Sequence, residues 1–224
     1  RGVYITLEGV NLAENDGAFH EEMSALLAKH LERLLEGREK VLIAGLGNRD
    51  VTPDALGPLV VDNLLITGHL GEVSFFEKMR SSMAVAPGVM AQTGMETSEI
   101  IQGIVAQTEP DLLIVVDALA ARSTRRLSRT IQLTDTGIQP GSGVGNHRSS
   151  LTRESLGIPV IAIGVPTVVE AAAIIYDASG NCEQMPPHLN GMFVTPKNID
   201  ETIKQLSFTL SEAMNMAFQT EVQS

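Results

Sequence analysis

Short aliphatic runs alternate along this chain with stretches whose apolar residues recur at helical spacing. Residues 3–7 alternate weakly and are β-rich, which predicts an edge strand. Phe19, Met23, Leu26, Leu27, His30, Leu31, Leu34 and Leu35 form a helical stripe that Gly37 ends. His30 on such a stripe is ordinarily a packed residue with one hydrogen bond rather than a ligand. Residues 41–44 read as a fully buried strand, broken by Gly45 and Gly47. Thr52-Pro53-Asp54 then supplies an N-cap, a proline at the first helical position and an acid in the first turn, predicting a helix over 53–67. Further strands are predicted at 73–77 and 83–86. A helix follows from Thr97, with Ile100, Ile101, Ile104 and Val105 in phase, and ends before Pro110. Residues 112–116 form a second buried strand that ends on Asp117, and 130–133 another strand. A third buried run, 158–164, precedes Pro166-Thr167, which reads as a helix start leading to Val168, Val169, Ala172 and Ile175. Residues 177–190 form a short polar surface insert and 192–194 a last strand. Pro196 opens a helix carrying Ile199, Ile203, Leu206, Leu210, Met214 and Ala217.

Helices alternating with aliphatic strands predict an α/β protein: a three-layer α/β/α sandwich around a mostly parallel sheet covered on both faces. No linker-like run divides the chain, so residues 1–224 are expected to form a single domain. In such a sheet, ligands bind beyond the carboxyl ends of the strands. Asp54 lies just past one strand end, and Asp117 ends another. If those strands lie side by side and parallel, the two carboxylates converge. An Asp in a first helical turn ordinarily only complements the helix dipole. An acid ending a buried strand is harder to dismiss, because a buried carboxylate without a partner is costly. Structural and functional roles for Asp117 stand even on physics alone.

Aromatics are 4% of residues and Trp is absent, so the core must be aliphatic. A net charge of −11 argues against a direct grip on nucleic acid, which needs a basic surface. A lone cysteine, Cys182, excludes an internal disulfide and a Cys-rich zinc site. No apolar run reaches 18 residues and no signal peptide is evident, so no membrane role is expected and the chain is read as intracellular. Arg1 in place of Met implies a fragment or a processed form.

Most catalytic signatures are absent. There is no Gly-x-Ser-x-Gly elbow, no His-Glu-x-x-His and no dinucleotide fingerprint. Cys182 has no nearby His, and none of His20, His30, His69, His147 and His188 is paired at ligand spacing. Gly141-x-Gly143-x-Gly145 lacks the lysine and helix of a phosphate loop and reads instead as a loop approaching a peptide, or a tight Ω-loop. What remains is the acid pair. Two carboxyl groups held close do not both ionise readily, so the ionised one can activate water while the other donates a proton to a carbonyl oxygen. Asn48, Glu96, Arg122 and Asp135 are weaker candidates for orienting the pair or a peptide. Their ordinary roles are a turn residue, helix caps or solvated charges, and a salt-bridge partner. No cofactor or metal is expected, although a zinc site using Asp54, Asp117 and a distant His is permitted. Two rival readings remain open: a metal-dependent peptidase using the same acids, and a non-catalytic binding scaffold on the same fold.

The residues also carry a resemblance. Gly45-Leu46-Gly47-Asn48 with Val51-Thr52-Pro53-Asp54-Ala55-Leu56-Gly57-Pro58, and Val61-Asp62-Asn63-Leu64-Leu65-Ile66-Thr67 after them, resemble the germination (spore) proteases of endospore-forming bacteria. So do Ala86-Pro87-Gly88-Val89-Met90, Glu96-Thr97-Ser98, Asp117-Ala118-Leu119-Ala120-Ala121-Arg122-Ser123, Gly141-Ser142-Gly143-Val144-Gly145-Asn146, residues 155–169 and Val194-Thr195-Pro196-Lys197. The resemblance implies an atypical aspartic endopeptidase that cuts small acid-soluble spore proteins in the cytoplasm (spore core) at germination. It implies a zymogen that sheds its own propeptide, a homotetramer, and a fold like that of the hydrogenase maturation peptidases. It places the catalytic aspartates on Asp54 and Asp117. Those maturation relatives hold a metal with two acids and a His; no matching His is found here, so no metal is carried over. Two departures stand out: no propeptide precedes Arg1, and the 177–190 segment is much shorter than the insertion expected there.

Overall fold

A computed structural model describes residues 2–70, 79–140, 149–180 and 186–219. The strand expected at 73–77, the glycine-rich run 141–146, Cys182 and His147 lie outside these residues. Among the described residues, seven strands form one sheet: β1 (Tyr4–Glu8), β2 (Lys40–Gly45), β3 (Ser81–Val85), β4 (Leu112–Ala121), β5 (Thr130–Thr134), β6 (Val160–Glu170) and β7 (Phe193–Val194). Their order is β1-β5-β6-β4-β2-β3, with β7 on the far end of β6. The four strands β6, β4, β2 and β3 are parallel, as the buried aliphatic runs predict. β1, β5 and β7 add antiparallel pairs that the periodicity does not distinguish.

Alternation along the strands separates two apolar layers. Val41 and Ile43 of β2, Leu112, Ile114 and Val116 of β4, and Ile161, Ile163 and Val165 of β6 face helices α1 (Gly17–Leu35), α2 (Leu56–Asp62) and α7 (Ile199–Ala217). Leu42, Ala44, Leu113, Val115 and Val160 face α4 (Thr97–Thr108). Short helices α3 (Met90–Thr93) and α5 (Arg153–Leu156), and α6 (Ala171–Ser179), complete the described helices. The result is the α/β/α sandwich expected.

α1 is capped at its start by the Asp16 side chain, which accepts from Phe19 N–H, and it ends on Glu36 in the left-handed region. Its buried stripe includes His20 and Ser24, whereas Leu26 is exposed and His30 half-buried. His20 Nε2–H donates to the Glu14 carbonyl at 2.9 Å, and its Nδ1 shares a hydrogen bond of 2.6 Å with the Thr209 hydroxyl of α7. A sequence stripe counted on apolar residues passes over this polar tie between the two long helices.

Three boundaries differ from expectation. Thr52–Asp54 forms only a single 3-10 turn, and α2 begins at Leu56 and stops at Asp62, well short of residue 67. Pro166-Thr167 does not start a helix. It lies inside β6, where Pro166 pairs with Leu119 and the register then shifts past Thr167 so that Ala120 pairs with Val168, an irregularity of the kind at which a strand tolerates proline. The β-branched Val165, Thr167, Val168 and Val169 favour the extended backbone, and α6 waits until Ala171. Asp117 does not end its strand, since β4 continues to Ala121 along β6.

α2 lies almost on the backbone of β2. A Cβ on Gly45 would stand 2.1 Å from the Gly57 carbonyl oxygen, and one on Gly57 would stand 2.3 Å from the Leu46 carbonyl oxygen. Both obstacles are backbone and have little room to move. Gly45→Ala is therefore expected to lower unfolding free energy by about 2 kcal/mol or more through forced repacking. The exposed mid-helix Gly103, with nothing near its Cβ position, gives the opposite sign: Gly103→Ala should add about 0.5–1 kcal/mol. Urea denaturation of the two variants checks both.

Candidate active site

β2 leaves the sheet at Gly45, opposite Val116, and its last bond to β4 is Leu46 N–H to the Val116 carbonyl at 2.8 Å. Asp117 is the next residue of β4. Alternation puts it on the α4 side with Leu113 and Val115, and it is 7% exposed. Its other neighbour in the sheet is Gly164 of β6, where a Cβ would meet Leu119 at 2.3 Å. The parallel crossover from β3 through α4 to β4 brings the amino end of α4 to this same end of the sheet.

Asp54 arrives from the other layer, on the turn that precedes α2. The loop 47–54 folds around it. Asn48 N–H donates to Asp54 Oδ2 at 2.7 Å, Val51 N–H to the Asn48 carbonyl at 3.2 Å, and Asp54 N–H to the Val51 carbonyl at 2.8 Å. Gly47, at φ +113°, lies so close that a Cβ there would stand 2.0 Å from the Asp54 carbonyl oxygen and 3.1 Å from its Oδ1. The turn leans on β4 and β6. The fully buried Thr167 of β6 donates its hydroxyl to the Pro53 carbonyl at 2.6 Å, and the Thr167 carbonyl accepts from the Thr195 hydroxyl at 3.0 Å. The two acids thus flank one stretch of backbone, 46–48, at the carboxyl end of the parallel strands.

The supporting candidates separate. Asn48 is brought to Asp54, through its backbone N–H rather than its side chain. The side-chain oxygen accepts from Asp50 N–H at 3.0 Å and from Gln92 Nε2 at 3.1 Å. Glu96 is the N-cap residue of α4, and its N–H donates to Glu99 Oε2 at 3.0 Å. Glu96 Oε2 is buried with no hydrogen-bond partner among the described residues, in the positive field of the helix start. Arg122 is exposed just past β4. Asp135 is placed elsewhere. It follows β5, whose Thr134 pairs with Ala162 near the amino end of β6, and its Oδ1 accepts from Val3 N–H at 2.7 Å. It ties down β1 and does not join the acids.

Sequence reasoning missed Thr167 and Gln92. Thr167 was assigned to a helix start, and Gln92 carries no signal of its own. Gln92 lines a cleft of about 240 Å³ beside the Asp54 loop, with Gly47, Arg49, Asp50, Ala86 and Gly88. On its rim the Arg49 guanidinium forks onto Asp62, with Nη2 at 3.0 Å from Oδ1. That hydrogen bond holds the Asp62 carboxyl below the usual carboxylate range. The contribution is present above the carboxyl's unfolded pKa and is lost as pH falls through its lower folded one. Both side chains are about half exposed, so solvent screening keeps the gain small. Among the described residues, no three His, Cys, Asp or Glu side chains gather closely enough to hold a metal ion, and no helix is long and apolar enough to cross a membrane.

Two carboxylates at the open end of a parallel sheet can perform general acid–base chemistry on a bound substrate. The family model described as germination protease matches residues 1–190, and the chain belongs to that peptidase family. The germination protease of Caldanaerobacter subterraneus is 43% identical, covering 97% of this chain and 78% of the relative. That of Clostridium perfringens is 40% identical with the same coverage. The Bacillus subtilis germination protease is 51% identical over 79% of this chain, which spans 50% of that relative. The Caldanaerobacter alignment runs to 254 positions against 224 residues here, so the relative carries residues that this chain lacks. Among solved structures, the [NiFe] hydrogenase maturation protease HycI from Thermococcus kodakarensis aligns over 83% of this chain and 98% of its own, with a TM-score of 0.46 and 20% identity.

Thr167→Val removes the hydroxyl that holds the Asp54 turn while keeping the shape of the side chain. It is expected to cost about 1–3 kcal/mol of stability, because the Pro53 carbonyl loses its donor, and to lower peptidase activity. Thr167→Ser should restore both. Thermal unfolding and a cleavage assay on the three proteins check this.

Proposed function

We propose that this member of the germination protease family cuts small acid-soluble spore proteins with Asp54 and Asp117 sharing one water. In this reading the ionised member takes a proton from the water as it attacks the scissile carbonyl carbon. The protonated member donates to the carbonyl oxygen, giving a tetrahedral intermediate. That intermediate collapses by breaking the C–N bond. The leaving amine takes the proton that the first acid received from water, a hydroxyl of the intermediate returns its proton to the second, and the pair regains its starting state.

The observation that supports this reading most is that the acids flank the same backbone stretch from two layers. Asp117 is buried beside the Leu46–Val116 bond, and Asp54 is fixed on Gly47 and Asn48. The net charge of −11 fits an enzyme that takes a DNA-coating protein once it has left the duplex, without gripping DNA itself. A spore-core location, a zymogen precursor and a homotetrameric assembly belong to the same proposal, as does a single domain over residues 1–224.

Cleavage of a purified small acid-soluble spore protein by the chain and by Asp54→Asn and Asp117→Asn tests it. Each substitution is expected to lower kcat/KM by roughly 10²–10⁴ with folding retained, the range that a positioned acid or base supplies. In Asp54→Asn the acidic limb of the pH–rate profile should also move. An intact substrate after incubation with the unmodified chain, or full activity in Asp117→Asn, contradicts the proposal.

A further inference from the structure

β4 outlasts its neighbour. β2 ends opposite Val116, whereas β4 runs on to Ala121. In a parallel ladder the N–H and C=O of one residue face the same neighbouring strand, and successive residues alternate. Val116 faces β2, since its carbonyl accepts from Leu46 N–H, and Leu113 faces the β6 side, since its N–H donates to the Pro159 carbonyl at 3.0 Å. The backbone groups of Ala118, and by the same alternation of Ala120, therefore point into the line that β2 has left. The Leu46 carbonyl would have continued the ladder, but it is turned against α2, next to Gly57. Among the described residues no hydrogen bond reaches Ala118 or Ala120 from that side, and both residues are partly exposed.

We infer that this short edge is the substrate-binding strand: an extended peptide lies in the vacated line of β2 and pairs its backbone with Ala118 and Ala120. The inference rests on the peptidase reading above. Three observations select a peptide as the occupant. Main-chain donors and acceptors recognise an extended chain whatever its side chains, which is how sheet edges take up peptides. The edge starts one residue from Asp117, and the line it borders is headed by Gly47 and Asn48, where the Asp54 carboxylate is held. Its length, about 7 Å between Ala118 and Ala120 at strand rise, suits a ligand that must leave after cutting better than a permanent sheet contact. The outer edge of β3 is closed at Ser82, whose carbonyl accepts from Gly68 N–H at 2.8 Å. The outer edge of β1 lies across the sheet, beyond β5 and β6.

Residue-by-residue amide exchange of the Asp117→Asn chain, followed by NMR with and without a small acid-soluble spore protein, tests the edge. The inference expects exchange at Ala118 and Ala120 to slow at least tenfold on binding, with Tyr4–Glu8 of β1 unchanged. Binding that leaves both amides untouched, or protects β1 instead, overturns the edge assignment while cleavage by the unmodified chain keeps the peptidase reading. Failure of the unmodified chain both to bind and to cleave removes that reading, and the edge with it. Ala118→Pro deletes the outward N–H without touching the β6 ladder. In a folded variant KM should rise about tenfold with little change in kcat, and an unchanged KM would also overturn the inference.

Discussion

The site depends on how closely backbone meets backbone where β2 ends. Gly45 and Gly57 let the start of α2 press onto the strand, and Gly47, in the left-handed region, lets the Asp54 turn lie directly against it. Side chains at these positions would lift the turn off the sheet. The same packing diverts the Leu46 carbonyl and stops the β2–β4 ladder at Val116. One contact thus fixes an acid and opens a strand edge beside a second acid.

The two acids are held in different ways. Asp117 is rigid by position, buried within a strand that pairs with β6 on one side. Asp54 stands on a loop, and its place is set by hydrogen bonds from Asn48 N–H to its carboxylate and from Thr167 to the carbonyl just before it. Thr167 in turn is linked to Thr195, so the end of β6 and the segment after β7 brace the loop. In the proposed mechanism the long strands that run past β2 act as supports, because a group that must meet a reacting atom within a fraction of an ångström is best fixed from rigid elements.

Much of this was legible in the chain. The aliphatic runs at 41–44, 112–116 and 158–164 marked the parallel strands, and the two aspartates stood out because each followed one of them. What was not legible follows from tertiary context. Pro166-Thr167 has the local chemistry of a helix start, and pairing with β4 on both sides of it, together with its β-branched neighbours, makes it strand. Asp117 reads as a strand terminus because the aliphatic run 112–116 ends on it, whereas pairing with β6 carries the strand on through Ala118-Leu119-Ala120-Ala121 despite their weak strand preference. Asp135 looked like a site candidate in one dimension, yet β5 enters antiparallel and carries it to the opposite end of the sheet. Asn48 stood out as a candidate for orienting the acids, and it is its backbone N–H, which any residue would offer, that makes the contact with Asp54.

The central claim is that the two carboxyl groups act as one unit, and their titration tests it most directly. Carbon-13 NMR of the Asp side chains, read for Asp54 and Asp117 in the chain and in each Asp→Asn variant, reports whether either group senses the charge of the other. The account predicts that replacing one aspartate visibly displaces the titration curve of the survivor. Two curves that keep their shape and midpoint when the partner is replaced would contradict it.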